Sequence, residues 1–276
     1  MGFGSRLVES GRAYGRLCVG IDPHPALLAQ WGLRDDADGL RTFALTCVEA
    51  FAGNVAAMKP QVAFFERFGA AGFSVLEETL AAARELGTIT IADAKRGDIG
   101  STMAGYAAAW LEPGAPLEAD ALTLTPYLGA GSLQPAIDLA RQHGKGVFVM
   151  SANSNPEAEA FQSSRLDGGV TVAQFMTDAC AEYNADAAAR GEVGDVGVVV
   201  GATVVKPPAL EHLNAPVLMP GVGAQGADFA DVDRIAGERA HLVFPNVSRA
   251  VLQHGPHVAD LRNQAIELRK RTKLEG

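Results

Sequence analysis

Eight short apolar runs recur along the chain, at 17–21, 55–59, 88–92, 121–125, 147–151, 196–201, 217–220 and 242–245. They are nearly continuously apolar and rich in β-branched residues, the pattern of strands buried on both faces of a parallel sheet. Between them apolar residues fall at helical spacing. Segment 41–52 carries Phe43, Leu45, Cys47, Val48 and Phe51, and 74–86, 170–189 and 258–273 behave similarly. Eight strand–helix alternations predict an α/β chain folded as one (β/α)8 TIM barrel. An open doubly wound sheet is the alternative, because a strand count does not establish closure. Polar stretches at 32–39 and 151–169 look like additions, and the second follows the fifth strand, where long loops often cover a site. Neither an internal repeat nor a flexible linker is visible, so a single domain spanning 1–276 is expected.

Composition narrows the function classes. The 276 residues are 48% hydrophobic, enough for one large core, and the net charge is −9. With no basic stripe, a nucleic-acid partner is not expected. Cys18, Cys47 and Cys180 are odd in number and widely separated, so neither a disulfide framework nor a zinc site is indicated. The first fifteen residues lack the apolar core of a signal peptide, and Arg6 breaks the myristoylation pattern. No apolar run approaches the roughly 20 residues that span a bilayer. A soluble, cytoplasmic protein with no membrane partner is expected.

The strongest chemical signal is the segment from Ile91 to Thr102, which reads Ile-Ala-Asp-Ala-Lys-Arg-Gly-Asp-Ile-Gly-Ser-Thr at the end of the third strand. Asp93 and Lys95 are two apart, so on extended backbone they point to one side. In a barrel that side is the interior, and strand C-termini are where catalysis sits. Arg96 is expected to face solvent. Lys59 closes the second strand and Asp22 the first, so adjacent strand ends present Asp22, Lys59, Asp93 and Lys95 to one mouth. Opposite signs hold one another ionised and in place. Two lysines, few spare carboxylates and no histidine suit proton delivery to a developing carbanion better than divalent-metal binding.

The last two strand ends look like a phosphate grip. Gly221, Gly223 and Gly226 follow strand seven with Gln225 among them, and Arg249 follows strand eight. In this fold these two loops often bind phosphate, through backbone N–H groups and a guanidinium fork. The same glycines spell GxGxxG, but only 50 residues follow, too few for the remaining units of a dinucleotide-binding fold. His254 and His257 have no ligand cluster around them and read as surface residues. Ser151, at the end of strand five, could bond a ligand or cap a helix.

Asp93-x-Lys95-x-x-Asp98-Ile99 after an apolar strand resembles the signature of the orotidine 5′-phosphate decarboxylase family. Asp22, Lys59, Ser151, the Gly-Val-Gly-Ala-Gln-Gly loop and Arg249 follow the expected strands in order, across residues 15–270. The DAKRGDIGST form is similar to the longer bacterial branch. The resemblance implies a cofactor-free (β/α)8 barrel, a homodimer with shared active sites, and orotidine 5′-phosphate as substrate. It implies that Lys95 donates a proton to C6, that Asp93 and Lys59 organise the charges, and that Asp22 and Lys59 contact the ribose. Ser151 would bind the pyrimidine, Gln225 and Arg249 the phosphate, and Asp98 with Thr102 would reach the partner's site. Ser248 departs from the pattern, standing where many relatives place glycine, and the loop after Ser151 is longer than in compact members.

Three other readings stay open on the residues alone. A related magnesium-dependent decarboxylase of sugar phosphates shares DxKxxD but carries an extra acidic residue shortly before the Asp, where this chain has Thr90 and Ile91. A Schiff-base aldolase would use Lys95 as nucleophile. A catalytically silent nucleotide-phosphate binder would have no need of a buried charge network.

Overall fold

The computed structural model describes residues 1–223 and 226–272. Eight parallel strands form it: β1 (Cys18–Ile21), β2 (Ala57–Pro60), β3 (Ile91–Arg96), β4 (Ala121–Leu124), β5 (Gly146–Ala152), β6 (Val196–Val200), β7 (Val217–Pro220) and β8 (Val243–Val247). Their order is β2-β1-β8-β7-β6-β5-β4-β3. Bridges Met58↔Thr90 and Gln61↔Asp93 join the two ends of that order. The ring is thus closed, which decides for the barrel over the open sheet.

Alternation along each strand sorts side chains into two cores. Facing outward, residues such as Val19, Val147, Val149 and Val198 pack on the surrounding helices. Facing inward, Cys18, Ala57, Ile91, Ala121, Phe148, Val199, Leu218 and Phe244 fill the barrel. The helices follow the expected periodicity with shifted ends. The predicted 41–52 helix runs Ala37–Phe51, begun earlier because Asp36 caps it by accepting from the Gly39 N–H at 2.9 Å. Within it Phe43, Cys47, Val48 and Phe51 are buried and Leu45 is half-buried.

An element absent from the strand–helix pattern closes the bottom. Phe3–Tyr14 is a helix whose Phe3, Leu7 and Val8 join the inner core. The Phe3 ring meets Phe148 edge-on at 5.8 Å. A Cβ on Gly146 would lie 2.1 Å from Phe3, so the glycine makes room for the ring. Phe3 is 1% exposed. Phe3→Ala should therefore destabilise the protein by about 3–5 kcal/mol, read as a lower urea midpoint at unchanged slope. A midpoint equal to the wild type would refute the plug.

Candidate active site

The predicted charges meet at the C-terminal ends of the strands. Lys59 Nζ donates to Asp93 Oδ2 at 2.6 Å, and Lys95 Nζ donates to Asp93 Oδ1 at 2.6 Å. Lys59 and Asp93 are 3% and 8% exposed, whereas Lys95 is exposed to the mouth. Burial alone pushes the Asp93 carboxyl up, but Lys59 and Lys95 outweigh it and hold it below the ordinary carboxylate range. Burial favours a neutral Lys59 as well, and there Asp93 and Asp22 outweigh it and hold the ammonium above its ordinary value. The pair is therefore ionised at neutral pH. Asp22 follows β1 with a buried Oδ1 that has no hydrogen-bond partner. An unsatisfied buried acceptor costs about 1–3 kcal/mol, so a ligand hydroxyl there would be favoured.

These groups line a cavity of about 600 Å³, together with Asn246 and Arg249 from the end of β8, the strand beside β1. That size suits a mononucleotide-sized ligand. Asn246 donates to the Cys18 carbonyl at 3.3 Å. Burial pushes the Cys18 thiol up to about 12, so it adds no charge beside Lys59.

On the phosphate side the sequence expectation divides. Gly221 and Arg249 line the cavity, and Arg249 makes no ion pair among the described residues. The Gly223 N–H donates to the Ala227 carbonyl at 2.8 Å and the Gly226 N–H to Gly223 at 3.3 Å. Those two glycines, with φ of 78° and 89°, close the turn on itself rather than face the cavity. Gln225 lies outside the described residues. Ser248 also lines the cavity, and its Oγ approaches Gly20 so closely that a Cβ there would lie 2.1 Å away.

Two placements correct the sequence reading. Ser151 does not line the mouth cavity but lines an adjoining one with Lys95, Met150 and Asn153. The β5–β6 register passes from Met150↔Val199 to Ala152↔Val200, so Ser151 stands unpaired at an irregularity while Met150 and Ala152 line the mouth cavity. Its Oγ donates to the Ala173 carbonyl at 2.8 Å and lies 2.9 Å from Thr177 Oγ1. The mouth positions after β5 are Asn153, Ser154 and Asn155. Arg96 is half-buried, ion-paired with Glu66 and set near the Tyr106 and Trp110 rings. Strand β3 also runs four residues beyond its predicted end, because Asp93 is neutralised by Lys59 and Lys95, and Arg96 by Glu66.

Asp98 and Thr102 do not line this cavity. Asp98 Oδ1 accepts from the Ile99 N–H at 2.8 Å, and Thr102 is exposed on the helix Gly100–Leu111. The segment after β5 folds partly into a helix, Pro156–Gln162, tied to Asn153 by two hydrogen bonds through Gln162. His254 and His257 are exposed, and the three cysteines are buried and free. Among the described residues no three His, Cys, Asp or Glu side chains gather as a metal site, and no helix is long and apolar enough to cross a membrane. Sequence reasoning missed Gln61 and Thr123, which also bond Asp93, at 3.0 Å each. Gln61 could have been found from its two-residue spacing to Lys59; a threonine inside an apolar run gives no signal.

A model described as the orotidine 5′-phosphate decarboxylase / HUMPS family matches residues 15–264. The chain belongs to that family. It is 56% identical over 263 residues to the orotidine 5′-phosphate decarboxylase of Corynebacterium glutamicum strain R, covering 95% of each chain. Among solved structures, a Streptomyces avermitilis protein superposes with a TM-score of 0.93 at 49% identity, over 98% of this chain and 94% of that one. The OMP decarboxylase of Leishmania donovani gives 0.78 at 31% identity, over 98% and 97%.

Proposed function

We propose that this member of the family decarboxylates orotidine 5′-phosphate to uridine 5′-phosphate and CO2, the last step of de novo pyrimidine synthesis. The observation that carries the reading is the Lys59–Asp93–Lys95 chain, two 2.6 Å contacts at the floor of the mouth. The C6–carboxylate bond breaks, CO2 leaves, and the electron pair stays on C6. That carbon has little resonance help. The Lys95 ammonium stabilises the charge as it develops and then gives C6 a proton, recovering its own from solvent. Asp93 and Lys59 keep that ammonium in place at no cost in reorganisation during the reaction. The unpartnered Asp22 Oδ1 takes a ribose hydroxyl. Gly221 and Arg249, with Gln225, take the phosphate, whose binding energy offsets orientation and desolvation at the ring.

Asp98 and Thr102 do not line their own cavity although Thr102 is exposed, which supports a homodimer in which each copy completes the other's site. The whole chain acts as one unit in the cytoplasm, with no cofactor or metal. The test follows orotidine 5′-phosphate absorbance with metal-stripped protein and a chelator present. Rapid loss with stoichiometric uridine 5′-phosphate is the expected result. Folded protein that leaves the substrate unchanged would overturn the reading.

A further inference from the structure

The carboxylate of Asp93 accepts four hydrogen bonds. Oδ2 takes Lys59 Nζ at 2.6 Å and Gln61 Nε2 at 3.0 Å; Oδ1 takes Lys95 Nζ at 2.6 Å and Thr123 Oγ1 at 3.0 Å. An ionised carboxylate has about four acceptor positions, so none is left over and the group cannot rotate without losing a bond. Two of the four donors are lysines. The other two are neutral, and of these Thr123 is fully buried.

Thr123 has a second task. Its Oγ1 accepts from the Lys95 backbone N–H at 2.9 Å. With a lone pair engaged there, its single proton is directed at Asp93. The hydroxyl thus links the main chain of Lys95 to the carboxylate that its side chain also grips.

The backbone explains why such a link is needed. The β3–β4 register passes from Ala92↔Leu122 to Arg96↔Leu124, so residues 93, 94 and 95 stand opposite Thr123 alone. Lys95 there has φ of 50°, in the left-handed region that a long side chain rarely adopts. A bulge of this kind re-aims a side chain, at the loss of ladder bonds. Threonine hydroxyls replace them: Thr123 takes the Lys95 N–H, and Thr125 Oγ1 donates to the Lys95 carbonyl at 3.3 Å. Such a conformation persists only where its surroundings over-determine it.

We infer that Thr123 is a positioning residue for this site: its hydroxyl holds Lys95 in the left-handed conformation and fixes the Asp93 carboxylate beneath it. The inference deepens the proposed decarboxylation, since it says how the proton donor is aimed at the reacting carbon. It does not require Thr123 to touch the substrate.

Thr123→Val preserves shape and removes both hydrogen bonds, while Thr123→Ser restores the hydroxyl. A displacement of about 1 Å at a reacting group can cost roughly 100-fold. With orotidine 5′-phosphate, Thr123→Val should lower kcat about 10- to 100-fold with KM within about threefold, and Thr123→Ser should recover most of it. A folded Thr123→Val with wild-type kcat, or a Thr123→Ser as slow as Thr123→Val, would overturn the inference. A crystal structure of Thr123→Val separates this from failure of the functional reading. Lys95 should leave its positive φ or its contact with Asp93; an undisturbed Lys95 overturns the positioning role whatever the substrate proves to be.

Discussion

Lys95→Ala is expected to lower turnover of orotidine 5′-phosphate by at least about 10⁴-fold while leaving the fold intact. Two losses combine. Removing the proton donor costs about 10²–10⁴, and removing a preorganised charge at the developing carbanion costs about 10²–10³. A 10⁴-fold fall corresponds to roughly 5.5 kcal/mol in the barrier. The fold survives because Lys95 is exposed and Asp93 keeps Lys59, Gln61 and Thr123. Stopped-flow kinetics with thermal unfolding checks both halves. Activity within tenfold of wild type would remove Lys95 from the chemistry.

Lys59→Met should act on stability and on activity together. It strands Asp93, 8% exposed, with only Lys95 as a charged partner. Removing one member of a buried pair typically costs about 3–5 kcal/mol. The pH dependence follows from the depressed Asp93 value. In the wild type, the stability this carboxylate contributes is present above the unfolded value of about 3.9 and is lost as pH falls through the lower folded value. In the variant, burial is less opposed, so protonation relieves it. The deficit should therefore be largest near neutral pH and shrink below about pH 4. Urea titrations at the two pH values decide it: a pH-independent deficit would mean lost packing rather than lost charge.

What the sequence revealed, and what it hid, follows from the range of each interaction. The eight strands were legible because parallel barrel strands are apolar on both faces, so Val196–Val200 reads as a strand without any neighbour. Asp22, Lys59, Asp93, Lys95 and Arg249 were legible because charges at the ends of such strands have few structural reasons to be there. The end of β3 was misread for the same reason: charges look like loop until a partner strand is seen to neutralise them. Ser151 reads as a mouth residue from its place at the end of an apolar run, but a register irregularity between β5 and β6 and its bonds to Ala173 and Thr177 set its face. Thr123 matters only because β3 bulges opposite it, and the N-terminal helix only because Gly146 opens a space for Phe3. Both depend on contacts between distant segments.

That helix has one more effect. With Phe3, Leu7 and Val8 seated among Phe148, Ile91 and Phe244, the lower end of the barrel is stoppered. Among the described residues the cavity beside Lys95 thus opens at the C-terminal ends of the strands. On the proposed decarboxylation, incoming nucleotide, departing CO2 and the water that recharges Lys95 all pass at that upper end, beside the charges that do the chemistry.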